Sequence, residues 1–141
     1  MEPPLAESGS RRYIAPMPNL LLVMTGGAIG AAFRYQVGRV ALHHMVPGFP
    51  WGTFIVNLLG GLLMGVLAAV VVGDGPVDRP LWMFLGVGVL GGFTTFSAFS
   101  FDLFVLLERG QIAIALAYAL ASVAGSLTLL VLGYWLIRAA A

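Results

Sequence analysis

The chain has 141 residues, 60% of them hydrophobic, with a mean hydropathy of +0.97 and only seven basic and six acidic side chains, where an average soluble chain of this length would carry roughly 35 charges. A soluble fold this small must cover most of its surface with polar groups, so an ordinary soluble domain is excluded and lipid is the solvent for most of the chain. A formal net charge of +1 argues against a nucleic-acid partner, and without cysteine there is neither a disulfide nor a thiolate metal site.

Residues 1–18 form a separate compositional region with Pro3, Pro4, Pro16, Pro18 and four charges, expected to be a disordered tail. Within it, Ser10-Arg11-Arg12-Tyr13-Ile14 looks somewhat like a twin-arginine export signal, but such a signal precedes a soluble mature domain. Here three further apolar spans follow, and the arginines read as the basic flank of a first helix. Residues 19–141 are expected to be one four-helix transmembrane domain. Charge-free runs at 13–33, 40–73, 80–101 and 110–137 are each long enough for a span of about 20 apolar residues. They predict helices near 19–42, 51–73, 81–108 and 111–137, with Trp51, Trp82 and Trp135 at the ends, where amphipathic rings favour the headgroup region. Pro47-Gly48-Phe49-Pro50 links spans 1 and 2, Asp74-Gly75-Pro76-Val77-Asp78-Arg79-Pro80 links 2 and 3, and Glu108-Arg109-Gly110 links 3 and 4.

Orientation normally follows the side richer in Lys and Arg. Arg11, Arg12, Arg79 and Arg138 fall on one side, and Arg34, Arg39 and Arg109 toward the other. So even a division allows insertion in both orientations and hence an antiparallel homodimer; a single orientation set by the two tail arginines is the alternative.

Polar side chains inside hydrocarbon mark either helix contacts or a transport path. Span 1 carries Arg34 and Arg39. In span 2, Thr53 and Asn57 share a face, and Asn57 is either glue between helices or a ligand group. In span 4, Tyr118, Ser122 and Ser126 recur every fourth residue as a hydroxyl stripe, serving either a path or close packing. The 19 glycines include pairs at Gly26-Gly27, Gly60-Gly61 and Gly91-Gly92 that permit close helix crossings. After the third pair comes Phe93-Thr94-Thr95, a poor sequence for continuing a helix. Span 3 is therefore expected to be two half-helices joined near residues 91–95, with a glycine kink in a continuous helix as the alternative. A break in the membrane frees carbonyls that suit a hard cation and amides that favour an anion. Just beyond, Phe96 and Phe99 lie one turn apart with Ser97 and Ser100 beside them. Phenylalanines there pack or face lipid, or else present positive ring edges to an anion.

Three segments resemble the signatures of the CrcB/Fluc fluoride channels: Gly26-Gly27-Ala28-Ile29-Gly30-Ala31-Ala32-Phe33-Arg34-Tyr35, Gly52-Thr53-Phe54-Ile55-Val56-Asn57-Leu58-Leu59-Gly60, and Gly91-Gly92-Phe93-Thr94-Thr95-Phe96-Ser97-Ala98-Phe99-Ser100. The resemblance covers about residues 19–137. It implies an all-α membrane protein of four transmembrane helices, the third broken mid-membrane, in the bacterial plasma membrane. It further implies an antiparallel dual-topology homodimer with two narrow fluoride pores and a structural, non-transported Na⁺ on the backbone carbonyls of Gly91 and Thr94. By motif position Phe96 and Phe99 match the aromatic box, Asn57 the amide near fluoride, and Ser97, Tyr118, Ser122 and Ser126 the polar lining. Arg34 and Thr95 match vestibule or structural positions. Ala98 stands where the family often has a hydroxyl residue.

Two other classes compete. A small four-span proton-coupled multidrug exporter needs a membrane-embedded acid, whereas spans 1, 2 and 4 contain no Asp or Glu, and Asp102 and Glu108 fall in the last turns of span 3. An enzyme of lipid metabolism has only His43-His44 in its favour, two histidines without a carboxylate or metal partner. No catalytic constellation is visible, and the chain reads as a channel rather than an enzyme.

Overall fold

The computed structural model describes residues 17–72 and 80–140; residues 1–16 of the tail expected over 1–18 and most of the expected turn before Pro80 lie outside them, and Met17 and Pro18 belong to the first helix rather than to the tail. The described residues form α1 (Met17–His44), α2 (Trp51–Leu67), the short α3 (Gly91–Phe93), α4 (Phe96–Glu108) and α5 (Ile112–Ala140). Two stretches wind more widely, as π-helix: Ala68–Val72 extends α2, and Trp82–Leu90 runs into α3. Four segments are long and apolar enough to cross a membrane: Pro18–His44, Trp51–Val71, Trp82–Glu108 and Ile112–Ala140. They lie within a few residues of the spans expected from the charge gaps, so the chain is an all-helical, four-span protein.

The punctuation between helices follows from residue chemistry. Between α1 and α2 the chain passes through Pro47 and Pro50, which lack an amide proton, and through Gly48 at φ +104°, a conformation that side-chain-bearing residues resist. Helix α4 ends in a reversal around Gly110 at φ +70°. There the Gln111 N–H donates to the Leu106 carbonyl and the Gly110 N–H to Leu107, both at 2.9 Å, the paired closure expected where glycine follows a helix.

Glycine also sets how closely the helices approach. A Cβ on Gly26 or Gly30 would collide with the backbone carbonyls of Phe84 or Val89, and one on Gly92 with the backbone of Gly27, so α1 lies backbone to backbone against residues 84–92. Across the molecule, Gly61 and Gly65 face the Ser126 and Leu130 carbonyls, and Gly133 of α5 faces that of Leu62. With little hydrophobic drive between helices in lipid, such contact supplies dispersion energy and admits short polar bonds. The buried aromatic cluster is small, with Phe99, Leu106, Ala115 and Tyr118 at its centre and Phe49, Phe54 and Leu103 packed around it. Large apolar side chains such as Leu42, Phe101, Leu120 and Leu136 point outward.

Gly65→Ala is expected to destabilise the fold by about 1–3 kcal/mol through overpacking against Leu130. Gly38→Ala, whose added methyl meets nothing within 4 Å, is expected to leave it unchanged. Thermal unfolding of the two purified variants in detergent checks this contrast.

Candidate functional site

Regular winding stops after Phe93 and restarts at Phe96, because Thr94 (ψ 159°) and Thr95 (φ −155°, ψ 126°) are extended. An extended dipeptide exposes backbone groups that hydrocarbon cannot satisfy, and Asn57 of α2 answers them. Its Oδ1 accepts the Thr95 N–H at 2.9 Å, and its Nδ2 donates to the Thr95 carbonyl at 3.1 Å. The side-chain amide thus pairs with Thr95 as a neighbouring strand would. Thr95 then caps α4: its Oγ1 accepts the Ala98 N–H at 3.3 Å and shares a hydrogen bond with Ser97 Oγ at 3.2 Å. The Thr94 hydroxyl donates back to the Leu90 carbonyl at 2.9 Å. Gly60 is the α2 residue at the crossing, since Thr94 Cγ2 occupies the place its Cβ would take.

These bonds release two carbonyls. In a continuous helix the Thr95 N–H would serve Gly91 and the Ala98 N–H would serve Thr94; here the former goes to Asn57 and the latter to Thr95 Oγ1. Gly91 is exposed on the single chain. Backbone oxygens without a helical donor are the kind a hard cation takes, so the chemistry of the Gly91 and Thr94 carbonyls suits the ion expected for them, although the Thr94 oxygen has a side-chain donor. Arg34 of α1 stands beside the same place, Nη1 donating to the Thr94 carbonyl at 3.5 Å.

A cleft of about 420 Å³ brings together Asn57, Thr94, Thr95, Phe96, Phe99, Ser122 and Ser126. Phe96 and Phe99 stand with ring centroids 5.6 Å apart. Phe99 is buried, and Phe96 is 77% exposed. Tyr118 is fully buried and packs its ring 5.2 Å from that of Phe99. Arg34 lines a second cavity with Thr53, Ala98 and Asp102, and Thr95 borders both. Ser97 and Gly91 lie outside the cleft.

An anion needs donated protons, and most of the protons here are already spent. Tyr118 Oη donates to Asp102 Oδ2 at 3.3 Å, Ser126 Oγ to the Asn57 carbonyl at 3.1 Å, and Ser100 Oγ to the Phe96 carbonyl at 3.0 Å. The exception on the hydroxyl stripe is Ser122. It is 4% exposed, and among the described residues its Oγ is one of two buried side-chain polar atoms without a hydrogen-bond partner. Asn57 Nδ2 carries a second proton not used on Thr95. The cleft therefore holds two unspent neutral donors and a pair of phenyl rings, and no ionised group lines it.

Asp102 is the residue that sequence reasoning passed over, being assigned only to the last turns of a span. Half-buried in α4, it accepts from Tyr118 in the aromatic cluster. The spacing of Phe96, Phe99 and Asp102, three residues apart on one helical face, was the available signal.

Residues 21–134 match the family described as CrcB-like protein, Camphor Resistance (CrcB). The chain is 48% identical over 122 residues to a Chelativorans sp. protein named fluoride-specific ion channel FluC, covering 86% of this chain and 98% of the relative. Proteins of the same name from Mesorhizobium japonicum and Novosphingobium aromaticivorans are 46% and 49% identical, covering 86% and 84% of this chain and 98% and 95% of the relatives.

The hydrogen-bond pattern separates structural from uncommitted groups. Asn57→Ala is expected to cost ~1–3 kcal/mol by orphaning both Thr95 backbone groups, and Ser126→Ala ~1 kcal/mol. Ser122→Ala removes an unpaired buried hydroxyl and is expected to leave stability equal or higher. Thermal unfolding midpoints of the three variants test the order.

Proposed function

The chain belongs to the CrcB-like family, and from that premise we propose that it is a passive, fluoride-selective channel of the plasma membrane that lets cytoplasmic fluoride leave the cell. The observation that carries the physical side is Ser122, a buried donor without a partner in a cleft walled by Phe96 and Phe99. Fluoride is small and strongly hydrated, so a narrow path must replace its water with close donors, which larger halides cannot approach equally well. The unspent protons of Ser122 and Asn57 supply donors, and phenyl edges add positive potential without a fixed charge. Neutral groups bind weakly enough to release, as conduction requires. Hydrogen fluoride enters as a neutral acid and ionises in a more alkaline interior, and the trapped anion then leaves down the membrane potential without ATP or catalysis.

The assembly that suits this path is an antiparallel homodimer of dual topology. The nearly even division of arginines between the two sides supports it, as does the exposure of Phe96, which a single chain leaves uncovered. The interruption at Thr94 and Thr95 would then lie at mid-membrane near the dimer axis. The freed carbonyls of Gly91 and Thr94 in both copies would hold a structural Na⁺, which supplies positive charge to backbone oxygens that lost their helical donors.

Protein reconstituted in liposomes is expected to release fluoride passively and retain chloride. Ser122→Ala is expected to lower fluoride efflux about tenfold, the loss of one charge-assisted hydrogen bond, at unchanged thermal stability. Chloride efflux at the fluoride rate would contradict the selectivity. Replacing Na⁺ by choline is expected to lower the unfolding temperature of the dimer, and an unchanged midpoint would contradict the structural ion.

A further inference from the structure

The loop between α1 and α2 turns inward at its last residues, Phe49 and Pro50. Leu42 and Val46 are 85% and 75% exposed, and residues 42–48 are exposed throughout, yet Phe49 is half-buried against the Tyr118 cluster. The loop is built to hold it there. Gly48 turns the chain at φ +104°, the Trp51 indole N–H donates to the Val46 carbonyl at 3.2 Å, and the Trp51 backbone N–H donates to the Phe49 carbonyl at 2.9 Å.

The Phe49 ring meets Tyr118 edge-on, centroids 5.4 Å apart at 86°, and Phe54 edge-on at 5.3 Å and 84°; Trp51 lies 4.5 Å away on a tilted plane. Tyr118 is thereby enclosed by Phe99 at 5.2 Å, Phe49 at 5.4 Å and Phe54 at 6.4 Å, with its hydroxyl on Asp102. A continuous run of rings, Phe96, Phe99, Tyr118, Phe49 and Trp51, joins the cleft to the loop. A tyrosine has two torsions, and its ring direction is set by the walls around it. Of the three walls, Phe99 and Phe54 belong to transmembrane helices and Phe49 belongs to a loop of six residues between helix ends.

We infer that Phe49 is a positioning residue of the permeation path. It touches no permeating ion; it acts through Tyr118, holding that ring edge-on so that Tyr118 and Phe99 keep the spacing of the path. The loop between α1 and α2 thus sets pore geometry from outside the membrane-spanning segments. This inference rests on the fluoride-channel reading above.

The test is a double-mutant cycle on the full chain in liposomes, using Phe49→Leu, Tyr118→Leu and the pair, with fluoride efflux, chloride efflux and the unfolding midpoint of each variant measured. Loss of one aromatic pair is expected to lower fluoride efflux roughly threefold to tenfold in Phe49→Leu, with raised chloride leak. Phe49→Tyr, which keeps the ring edge, is expected to restore efflux to within about twofold of the unmodified chain. In the Tyr118→Leu background Phe49→Leu should have no further effect, because the group it acts through is gone. Unchanged efflux in Phe49→Leu while the unmodified chain conducts, or effects that simply add in the pair, would overturn the inference. An unmodified chain that releases no fluoride would overturn the channel reading and this inference with it. If Phe49→Leu does not yield folded protein, Phe49→Met carries the same comparison.

Discussion

A backbone that leaves helical geometry inside hydrocarbon must find partners for its amides and carbonyls within the protein, and much of this molecule is arranged around meeting that demand at Thr94 and Thr95. Asn57 pairs with both backbone groups of Thr95. For its amide to reach, α2 must approach the interruption closely, which Gly60 permits by leaving room for the Thr94 methyl. The next residue, Gly61, lets α5 come near enough for Ser126 to donate to the Asn57 carbonyl. The same asparagine is thus held by the helix on its other side. Replacing its side chain leaves both Thr95 backbone groups unsatisfied, while the Ser126 bond to the main-chain carbonyl remains, so its structural role and any contact with an ion are not separable by simple deletion.

The division between spent and unspent protons is the next consequence. Hydroxyls in hydrocarbon normally donate to a carbonyl of their own helix or of a neighbour, and Thr25, Thr94, Ser100 and Ser126 all do so. A buried hydroxyl that does not, as at Ser122, carries a desolvation cost with no internal return. Such a cost fits the proposed passage of an anion, which would collect the proton. Keeping the donors neutral limits binding strength, because an ionised partner would hold a small anion far longer. Asp102 does not disturb this arrangement, since its carboxylate accepts from Tyr118 and it does not line the cleft.

The aromatic cluster supplies rigidity that the glycine-rich crossings cannot. Glycine interfaces bring backbones together but fix no ring, whereas edge-to-face pairs have preferred angles and add specificity beyond buried area. Phe99, Tyr118, Phe54 and Phe49 gather from three helices and a loop, and they tie α2, α4 and α5 together around the Tyr118 ring.

By itself the sequence determined the solvent, the number of spans and their approximate ends, because apolar run length and charge gaps report transfer into lipid residue by residue without any partner. It also marked residues 91–95 as a costly place for a helix, and Asn57 and the stripe at Tyr118, Ser122 and Ser126 as polar groups needing a reason. Which reason applied to each was decided by tertiary structure. Asn57 pairs with a backbone 38 residues away, Ser126 with one 69 residues away, and Tyr118 with Asp102, while Ser122 on the same stripe pairs with nothing. Periodicity places these side chains on one helical face and cannot tell them apart, because a hydrogen bond depends on an approach of about 3 Å between helices. That approach is fixed by the glycine crossings of α2 with α5 and of α1 with residues 84–92.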